Sequence, residues 1–458
     1  MAGIGFQLKN LISNRSISAK LLAFGYSVVL SSGNWLISIV IIFVFSKIAL
    51  VMGGNKKVVY DLNIYITNVV ALALISSGFF QFEYTRFASD RIFEKKYNLI
   101  IPNYFGALFI VAIIGFISGI ILGYYFFWDY NKLIFLLFAI TVAISSCVFL
   151  SSALLTGLKS FRYILFSFMV SYLIAGISIL YFKNNFILLV CSFYLSQNML
   201  FLMLSYKIFR EYYSDSLFRF DFLKKPNKRI LIFTGFIYYL GVWIDKYLFW
   251  FSEETSKKVI GNMASSPFYD IPITLAYISL LPGISALFLY TEAEFFEYYD
   301  LYYSAVRDFG TLEDLYYFAN MLISAVRDLI FSVMRIQIIF DIIIILAQDK
   351  LFLKLLSIPK IYLPEIDIMI IAATVQLLFI VLFSIFSYFD LMKNLLKISI
   401  VFFLANFLFT YISIKMGPYY YGYGLFFAGA ISSLYAIYLL RRFLDEINYY
   451  TFVHSGKL

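Results

Sequence analysis

Apolar residues fill this chain in long runs from end to end, and short polar stretches separate the runs. A helix needs roughly 20 apolar residues to cross the hydrocarbon core of a bilayer. The pattern predicts an all-α, polytopic membrane protein with about twelve transmembrane helices in two six-helix bundles. The predicted segments, in chain order, are 21–50, 62–87, 100–126, 132–156, 162–182, 186–206, 230–251, 269–292, 331–348, 366–389, 395–415 and 421–442.

A polar stretch rich in bases and aromatic residues divides the predicted helices into two sets of six. We therefore expect an N-terminal bundle at 1–206, a cytoplasmic linker at 207–229 and a C-terminal bundle at 230–458. A further connector near 293–330 shows apolar residues at helical spacing with acids between them, which predicts a cytoplasmic helical hairpin. Such a hairpin either only links two helices or also contacts a cytoplasmic partner.

A faint internal repeat supports this division. The first segment contains the tripeptide Gly33-Asn34-Trp35, and the seventh contains Gly241-Val242-Trp243. Matching first helices in two halves are typical of parallel repeats about an axis along the membrane normal.

Composition agrees with a membrane protein, since 62% of residues are hydrophobic, 14% are charged and the mean hydropathy is +0.86. The net charge of +9 could suggest nucleic acid as a partner. Lys and Arg, however, concentrate in alternate loops on the side of the N-terminus, as membrane proteins do in the cytoplasm. We expect both termini to be cytoplasmic and no nucleic acid to be bound.

Several kinds of chemistry are excluded by the residues present. The single histidine is His454, and Cys147 and Cys191 lie apart within apolar segments. This rules against a His/Cys metal site and a Ser-His-Asp hydrolase, and no phosphate-binding loop of the Walker type occurs. We expect no enzyme activity, no metal and no cofactor.

The seventh segment contains a charged pair, Asp245-Lys246, within an apolar run. A charge in the hydrocarbon core costs roughly 2.5–3.5 kcal/mol, so such residues usually face a cavity. One face of this helix combines residues spaced by four, three and four, namely Tyr239, Trp243, Lys246 and Trp250. The face could line a substrate path, or the pair could be structural and self-neutralising near the outer interface.

The eighth segment contains polar residues around a proline, at Asp270, Pro282, Glu292 and Glu294. Pro282 removes a backbone donor and kinks a helix, and interrupted helices indicate a transporter's binding site. These four residues are further candidates for the substrate path. Alternatively, the kink serves packing only and the two glutamates are solvated.

Two other places could hold a proton or cation. Glu83 and Arg86 stand three residues apart on one helix face, which also suits a structural ion pair. Asp341 is an isolated acid in the ninth segment, with Gln337 one turn before it.

Longer stretches of the sequence resemble one family. They include MAGIGFQLKNL at Met1–Leu11, YTRFASDRIF at Tyr84–Phe93, GVWIDKYLFW at Gly241–Trp250, FYDIPITLAYISLLPG at Phe268–Gly283 and YTEAEFFEYYDLYYSAV at Tyr290–Val306. In this order they resemble the inner-membrane transporter family of the Pel exopolysaccharide system (PelG). That family is a branch of the multidrug/oligosaccharidyl-lipid/polysaccharide (MOP) flippase superfamily.

The resemblance implies a MOP flippase-like fold and passage of a polymer containing GalNAc or GlcNAc across the bacterial inner membrane, coupled to its synthesis. It also implies a cytoplasmic glycosyltransferase and companion Pel membrane proteins as partners, including a receptor for cyclic-di-GMP. The 39 Tyr and 53 Phe of the chain allow sugar rings to stack along a path.

Two other functions remain open from the sequence. One is an alternating-access flippase or antiporter for lipid-linked sugars or drugs, which would need an intramembrane acid such as Asp341 or Asp245. The other is a membrane scaffold for the polysaccharide synthase complex.

Overall fold

The computed structural model describes Ser27 and residues 38–158, 160–214, 216–224, 229–308, 310–356 and 358–454. Within these residues, eleven helices are long and apolar enough to cross a membrane. The prediction of an all-α polytopic protein is confirmed, and the eleven helices correspond to the second to twelfth predicted segments. Most of the first segment, 21–50, lies outside the described residues, but Ser38–Val51 within and just beyond it is helical.

The described residues form two compact units, one within 33–267 and one within 268–458. The first unit contains a short helix α1 followed by six long helices and a β-hairpin. Its elements are α1 Ser38–Val51, α2 Lys56–Phe93, α3 Ile100–Phe127, α4 Lys132–Gly157, α5 Phe161–Tyr181, α6 Phe186–Glu211, α7 Ile230–Phe251, β1 Lys257–Ile260 and β2 Met263–Ser265.

Asparagine residues begin three helices at one end of the first unit. Asn55, Asn131 and Asn185 each accept a hydrogen bond from a backbone N–H of the first turn of α2, α4 and α6. A side-chain acceptor at this position satisfies a donor that the helix itself leaves open. The backbone N–H of Asn55 also donates to Asn184 Oδ1 at 3.0 Å, so two of these turns are tied together.

The β-hairpin that follows α7 covers the C-terminal end of α3. Asn262 donates from its backbone N–H to the carbonyl of Phe126 at 3.0 Å and from Nδ2 to the carbonyl of Tyr125 at 3.1 Å. The turn residue Gly261 has φ +56 and lies so close to Phe126 that a Cβ would sit 2.2 Å from its carbonyl oxygen. The hairpin thus supplies donors to carbonyls that the helix end leaves open.

Helices α2 and α7 cross in direct backbone contact. A Cβ on Gly235 would lie 2.1 Å from the carbonyl oxygen of Gly78. One residue on, Phe79 and Phe236 stack at 4.2 Å between ring centroids. Small residues at a crossing let helix backbones approach closely in a membrane, and this contact fixes α7 against α2.

The second unit contains eight described helices. They are α8 Pro267–Ser279, α9 Leu281–Tyr290, α10 Phe296–Arg307, α11 Leu312–Leu346, α12 Leu363–Tyr388, α13 Met392–Met416, α14 Tyr423–Asp445 and α15 Ile447–His454. A π-helical turn at Thr291–Phe295 joins α9 to α10, so α8, α9 and α10 run as one interrupted helix over Pro267–Arg307.

The predicted connector near 293–330 consists of helical extensions. It is made by α10 and the first half of α11, and the N-terminus of α11 is closed by a capping box between Thr311 and Asp314. A 35-residue helix such as α11 is about 52 Å long at 1.5 Å per residue, which exceeds the ~30 Å hydrocarbon core. The hairpin prediction therefore corresponds to two membrane helices that continue past the bilayer.

Aromatic side chains hold one end of the second unit together. Phe295 packs against Tyr388 at 5.3 Å and Phe389 at 6.1 Å, and Phe389 packs against Phe443 at 5.0 Å. Edge-to-face and tilted pairs of this kind add to the energy of burial. The end of α14, the turn between α12 and α13, and α10 therefore lie together, and we call this the connector end.

The linker between α6 and α7 is docked onto the first unit by its middle residues. Phe222 is buried among Phe80, Tyr84 and Phe87, and the backbone N–H of Asp221 donates to Asn103 Oδ1 at 2.6 Å. The predicted domain boundaries at 207–229 stay a prediction. In the structure, α7 belongs to the first compact unit, which ends at Pro267.

Candidate functional site

The charged pair on α7 is buried within one helix turn. Asp245 is fully buried, and Lys246 Nζ lies 2.9 Å from Asp245 Oδ2 and 3.0 Å from Oδ1. Lys246 also donates to the backbone carbonyl of Val242 at 3.0 Å. The charge of the ammonium group is therefore neutralised by Asp245, and its N–H groups have hydrogen-bond acceptors. A buried ion pair is tolerated under these conditions.

Aromatic rings surround this pair on the same helix. Lys246 Nζ lies 5.5 Å from the centroid of the Trp243 ring, within the range of a cation–π contact. Trp243 and Trp250 are 6.4 Å apart between centroids. Tyr239, one turn before Trp243, packs on Phe82 of α2 at 6.0 Å.

The structure thus brings together four of the five residues that the sequence placed on α7, while Tyr239 packs against α2 instead. The shared face of Trp243, Lys246 and Trp250 exists as the helical spacing indicated. Burial of the pair is compatible with a structural role, and the combination of flat rings with buried polar groups is typical of sites for small polar ligands. Their part in a substrate path stays a prediction.

Glu83 and Arg86 lie on α2, near its C-terminal end. Glu83 is fully buried, and Arg86 Nε pairs with Asp90 Oδ1 at 3.5 Å, one turn further along. An ion pair at this spacing on one helix stabilises it by a few tenths of a kcal/mol. The structure therefore shows a local role for Arg86 that the sequence analysis did not name.

The predicted kink at Pro282 is a break in the eighth segment. Helix α8 ends at Ser279 and α9 begins at Leu281, with Leu280 between them. Pro282 has no N–H to donate to Ile278, four residues earlier, as a continuous helix would require. The break lies within a candidate membrane span, about a third of the way along Pro267–Arg307.

Gln337 of α11 fills this break. Its Oε1 accepts from the backbone N–H of Gly283 at 2.9 Å, and its Nε2 donates to the carbonyl of Ser279 at 3.0 Å. In a regular helix Gly283 would donate directly to Ser279. The side-chain amide therefore replaces one main-chain hydrogen bond by two.

Asp341 extends this polar cluster from α8, α9 and α11 to α12. Gln337 Nε2 donates to Asp341 Oδ1 at 2.6 Å, and the hydroxyl of Thr374 on α12 donates to Asp341 Oδ2. Asp341 is 7% exposed. Both carboxylate oxygens thus accept from neutral donors, as a buried acid requires.

The other acids of the eighth segment lie apart from this cluster. Asp270 stands in the first turn of α8, where a negative charge suits the helix dipole. Glu292 lies in the π-helical turn beside Tyr388, while Glu294 is exposed. The structure does not bring these three together with Pro282.

Sequence reasoning missed two members of the cluster that surrounds Asp341. Thr374 is a hydroxyl within an apolar run, and nothing in the sequence links it to Asp341. Ser279 takes part through its carbonyl, which no sequence pattern shows. A usable signal was the Pro-Gly step at 282–283, since a proline inside a helix disturbs the main-chain hydrogen bonds of its turn and leaves neighbouring groups in need of other partners.

A metal centre has no support in the part of the chain that the structure describes. There, no three His, Cys, Asp or Glu side chains come close enough to one another to hold an ion.

Comparison with protein families gives one match that spans nearly the whole chain. The model of the PelG family, an exopolysaccharide exporter (EPS-E) family, matches residues 1–452. A comparison with curated proteins finds no match.

Solved structures similar to this one are transporters of the MOP superfamily. An outward-facing multidrug resistance MATE transporter aligns with a TM-score of 0.65 and 12% identity over 97% of this chain and 99% of its own. A MOP transporter from Pyrococcus furiosus aligns with a TM-score of 0.62 and 9% identity, over 97% of this chain and 99% of its own. An inward-facing multidrug resistance MATE transporter aligns with a TM-score of 0.60 and 10% identity, over 92% of this chain and 95% of its own. At these identities the comparison shows a shared fold.

Proposed function

The chain belongs to the PelG exopolysaccharide exporter family, and we propose that it moves a polymer containing GalNAc or GlcNAc across the bacterial inner membrane as the polymer is made. The family match over residues 1–452 carries this proposal. The MOP transporter fold supports it, since the similar solved structures are transporters and this chain has many helices long and apolar enough to span a membrane.

Within this function we assign the polymer path to the aromatic and charged face of α7. Flat rings such as Trp243 and Tyr239 can stack on the apolar faces of sugars, and Asp245 and Lys246 offer an acceptor and a donor to hydroxyl groups. Because the pair neutralises itself, it can meet a sugar without adding a net charge to the membrane. Trp250 belongs to the same face of α7, while Asp270, Pro282, Glu292 and Glu294 stay candidates from the sequence alone.

The experiment compares two tryptophans that each lie beside a lysine. Trp243→Ala should reduce secreted polymer while the amount of protein in the membrane stays normal. The matched control is Trp128→Ala, because Trp128 is exposed and lies 5.3 Å from Lys132 in the same type of contact. Asp245→Asn tests the pair itself.

Two results would remove the path assignment. One is full secretion from Trp243→Ala. The other is a loss of secretion matched by an equal loss of membrane protein, which is expected if the pair is structural, since removing one partner leaves a buried charge uncompensated.

We further propose that the connector end faces the cytoplasm and contacts the polymer-forming glycosyltransferase, beside companion Pel membrane proteins that include a cyclic-di-GMP receptor. Tyr316 and Tyr317 near the start of α11 are more than half exposed, and exposed aromatic side chains are frequent at protein interfaces. Replacing both by serine should weaken co-purification of the glycosyltransferase. Unchanged co-purification and secretion would leave the connector as a link between helices.

A second candidate is an alternating-access flippase or antiporter, for which Asp341 is the supporting observation. A buried acid that accepts from neutral donors, as Asp341 does from Gln337 and Thr374, can be neutralised by a proton. If proton exchange drives transport, Asp341→Asn should abolish movement of the cargo. If polymerisation drives transport, the same variant should leave polymer secretion unchanged. Transport by the purified protein in liposomes separates either mechanism from a scaffold role.

A further inference from the structure

The break between α8 and α9 is closed by a side chain from another helix. A proline break in a helix normally leaves carbonyls in need of donors, which water or neighbouring groups then satisfy. Here Gln337, which is fully buried, lies between the N–H of Gly283 and the carbonyl of Ser279. The amide oxygen accepts from the N–H of Gly283, and the amide nitrogen donates to the carbonyl of Ser279. Both backbone groups are therefore satisfied.

The approach of this amide depends on the glycine after the proline. A Cβ on Gly283 would lie 2.5 Å from Gln337 Oε1 and 2.3 Å from Leu377 Cδ2. Any other residue would push the amide out of the break. The Pro282-Gly283 step therefore both opens the helix and admits the group that closes it.

Asp341 keeps the amide in the required orientation. A flipped amide would place Oε1 against the carboxylate of Asp341 and against the carbonyl of Ser279, where both contacts would be repulsive. The observed orientation instead directs Nε2 toward both acceptors. Thr374 on α12 holds the other carboxylate oxygen, so α8, α9, α11 and α12 meet at this cluster.

We propose that Gln337 is a positioning residue that holds the α8–α9 break closed, and that the break is a hinge at which α8 moves relative to α9 during transport. This inference rests on the proposed transport function. Withdrawal of one side chain would free both backbone groups at once, whereas a continuous helix would have to lose consecutive main-chain hydrogen bonds. A joint closed by a side chain can thus open without unwinding its helices.

A double variant separates a hinge from a static repair. Pro282→Ala restores the missing N–H, so that α8 and α9 can join by main-chain hydrogen bonds. Gln337→Leu alone leaves Gly283 and Ser279 unsatisfied, and should lower the melting temperature in detergent. In the double variant the helix no longer needs the amide, so the melting temperature should recover in part. Asp341 Oδ1 still lacks the donor that Gln337 supplied.

Motion is measured directly in the purified protein. Spin labels at Ile271 and Phe296, both partly exposed, report the length across the break, in a background with Cys147 and Cys191 replaced by alanine. Along a straight helix these positions are roughly 37 Å apart, which suits distance measurement by pulsed electron resonance. Pro272→Ala is the control, because this second proline lies within α8 and away from the break.

We expect a broad or two-component distance distribution in the wild type and in Pro272→Ala. A single narrow distance is expected in Pro282→Ala and in the double variant. Both variants should lose polymer secretion while the protein stays folded. Equal distributions in all four proteins would overturn the hinge, as would full secretion from a stable double variant. If the wild type moved no polymer, the proposed function would fail, while the distances would still decide whether the break bends.

Discussion

The hydroxyl of Tyr302 on α10 donates a hydrogen bond to Asn448 Oδ1 on α15 at 2.9 Å. The same hydroxyl lies 3.1 Å from Thr451 Oγ1. The C-terminal helix is therefore attached to the connector end of the second unit, and the connector and the helix must lie on one side of the membrane.

This attachment makes a prediction about topology. Reporter fusions inserted at Gly310 and after Leu458 should report the same side of the membrane, and the distribution of Lys and Arg predicts that this side is cytoplasmic. Opposite sides for the two fusions would contradict the structure. Agreement of both on the periplasmic side would contradict only the charge-based orientation.

Removing the hydroxyl of Tyr302 should loosen this end. Tyr302 is fully buried, and Tyr302→Phe leaves Asn448 without one donor at a cost of about 1 kcal/mol. We expect a lower melting temperature and faster proteolysis of the C-terminal helix. Tyr316→Phe on the exposed side of α11 is the control and should change neither quantity.

The crossing of α2 and α7 should not tolerate a methyl group. In Gly235→Ala the new Cβ would lie 2.1 Å from the carbonyl oxygen of Gly78, so the two backbones must separate and lose contacts. We expect lower thermal stability, with a cost of about 1–3 kcal/mol for overpacking. Gly157→Ala has open space around the new Cβ and should be neutral or slightly stabilising.

The linker should lose its attachment at low pH. Lys224 lowers the pKa of Asp221 by a hydrogen bond, and Asn103 and Arg219 lower it further. A carboxyl whose pKa is lower in the folded state stabilises the fold above its unfolded pKa of about 3.9, and this contribution is lost as the pH falls through the folded value.

Asp221→Asn should therefore lower the melting temperature at pH 7. The difference from the wild type should shrink as the pH falls below about 3.9 and vanish below the folded-state pKa of Asp221. Melting curves at several pH values measure this, with Asp129→Asn in an exposed turn as the control. A difference that persists unchanged at low pH would assign the effect to hydrogen bonding by the side chain and not to its charge.

The helices could be predicted because lipid imposes a simple rule on sequence. A run of apolar residues in a bilayer must satisfy its backbone internally, and a helix does so. The ninth segment, interrupted by Arg335, Gln337 and Asp341, was the least regular in pattern, and it forms part of the long helix α11. Gln337 and Asp341 have partners on other helices, which hydropathy alone cannot show.

For the candidate sites, the sequence predicted which residues of one helix lie next to each other, but not which residues of different helices come into contact. Spacing placed Trp243, Lys246 and Trp250 on one face of α7, because helical geometry fixes neighbours three and four residues apart. The joining of Gln337 to the Pro282 break depends on two segments separated by 54 residues. Such a contact follows from packing, and no local pattern records it.

The hairpin that covers α3 determines how this chain could be divided into pieces. Because α7 crosses α2 at Gly78 and ends in a hairpin bonded to Phe126, a cut at the linker would give a C-terminal fragment in which α7 has lost its partners. A cut after Pro267 would keep α7 with them. Two co-expressed fragments divided there should reassemble more readily than a pair divided at the linker, although the linker is the more obvious boundary in the sequence.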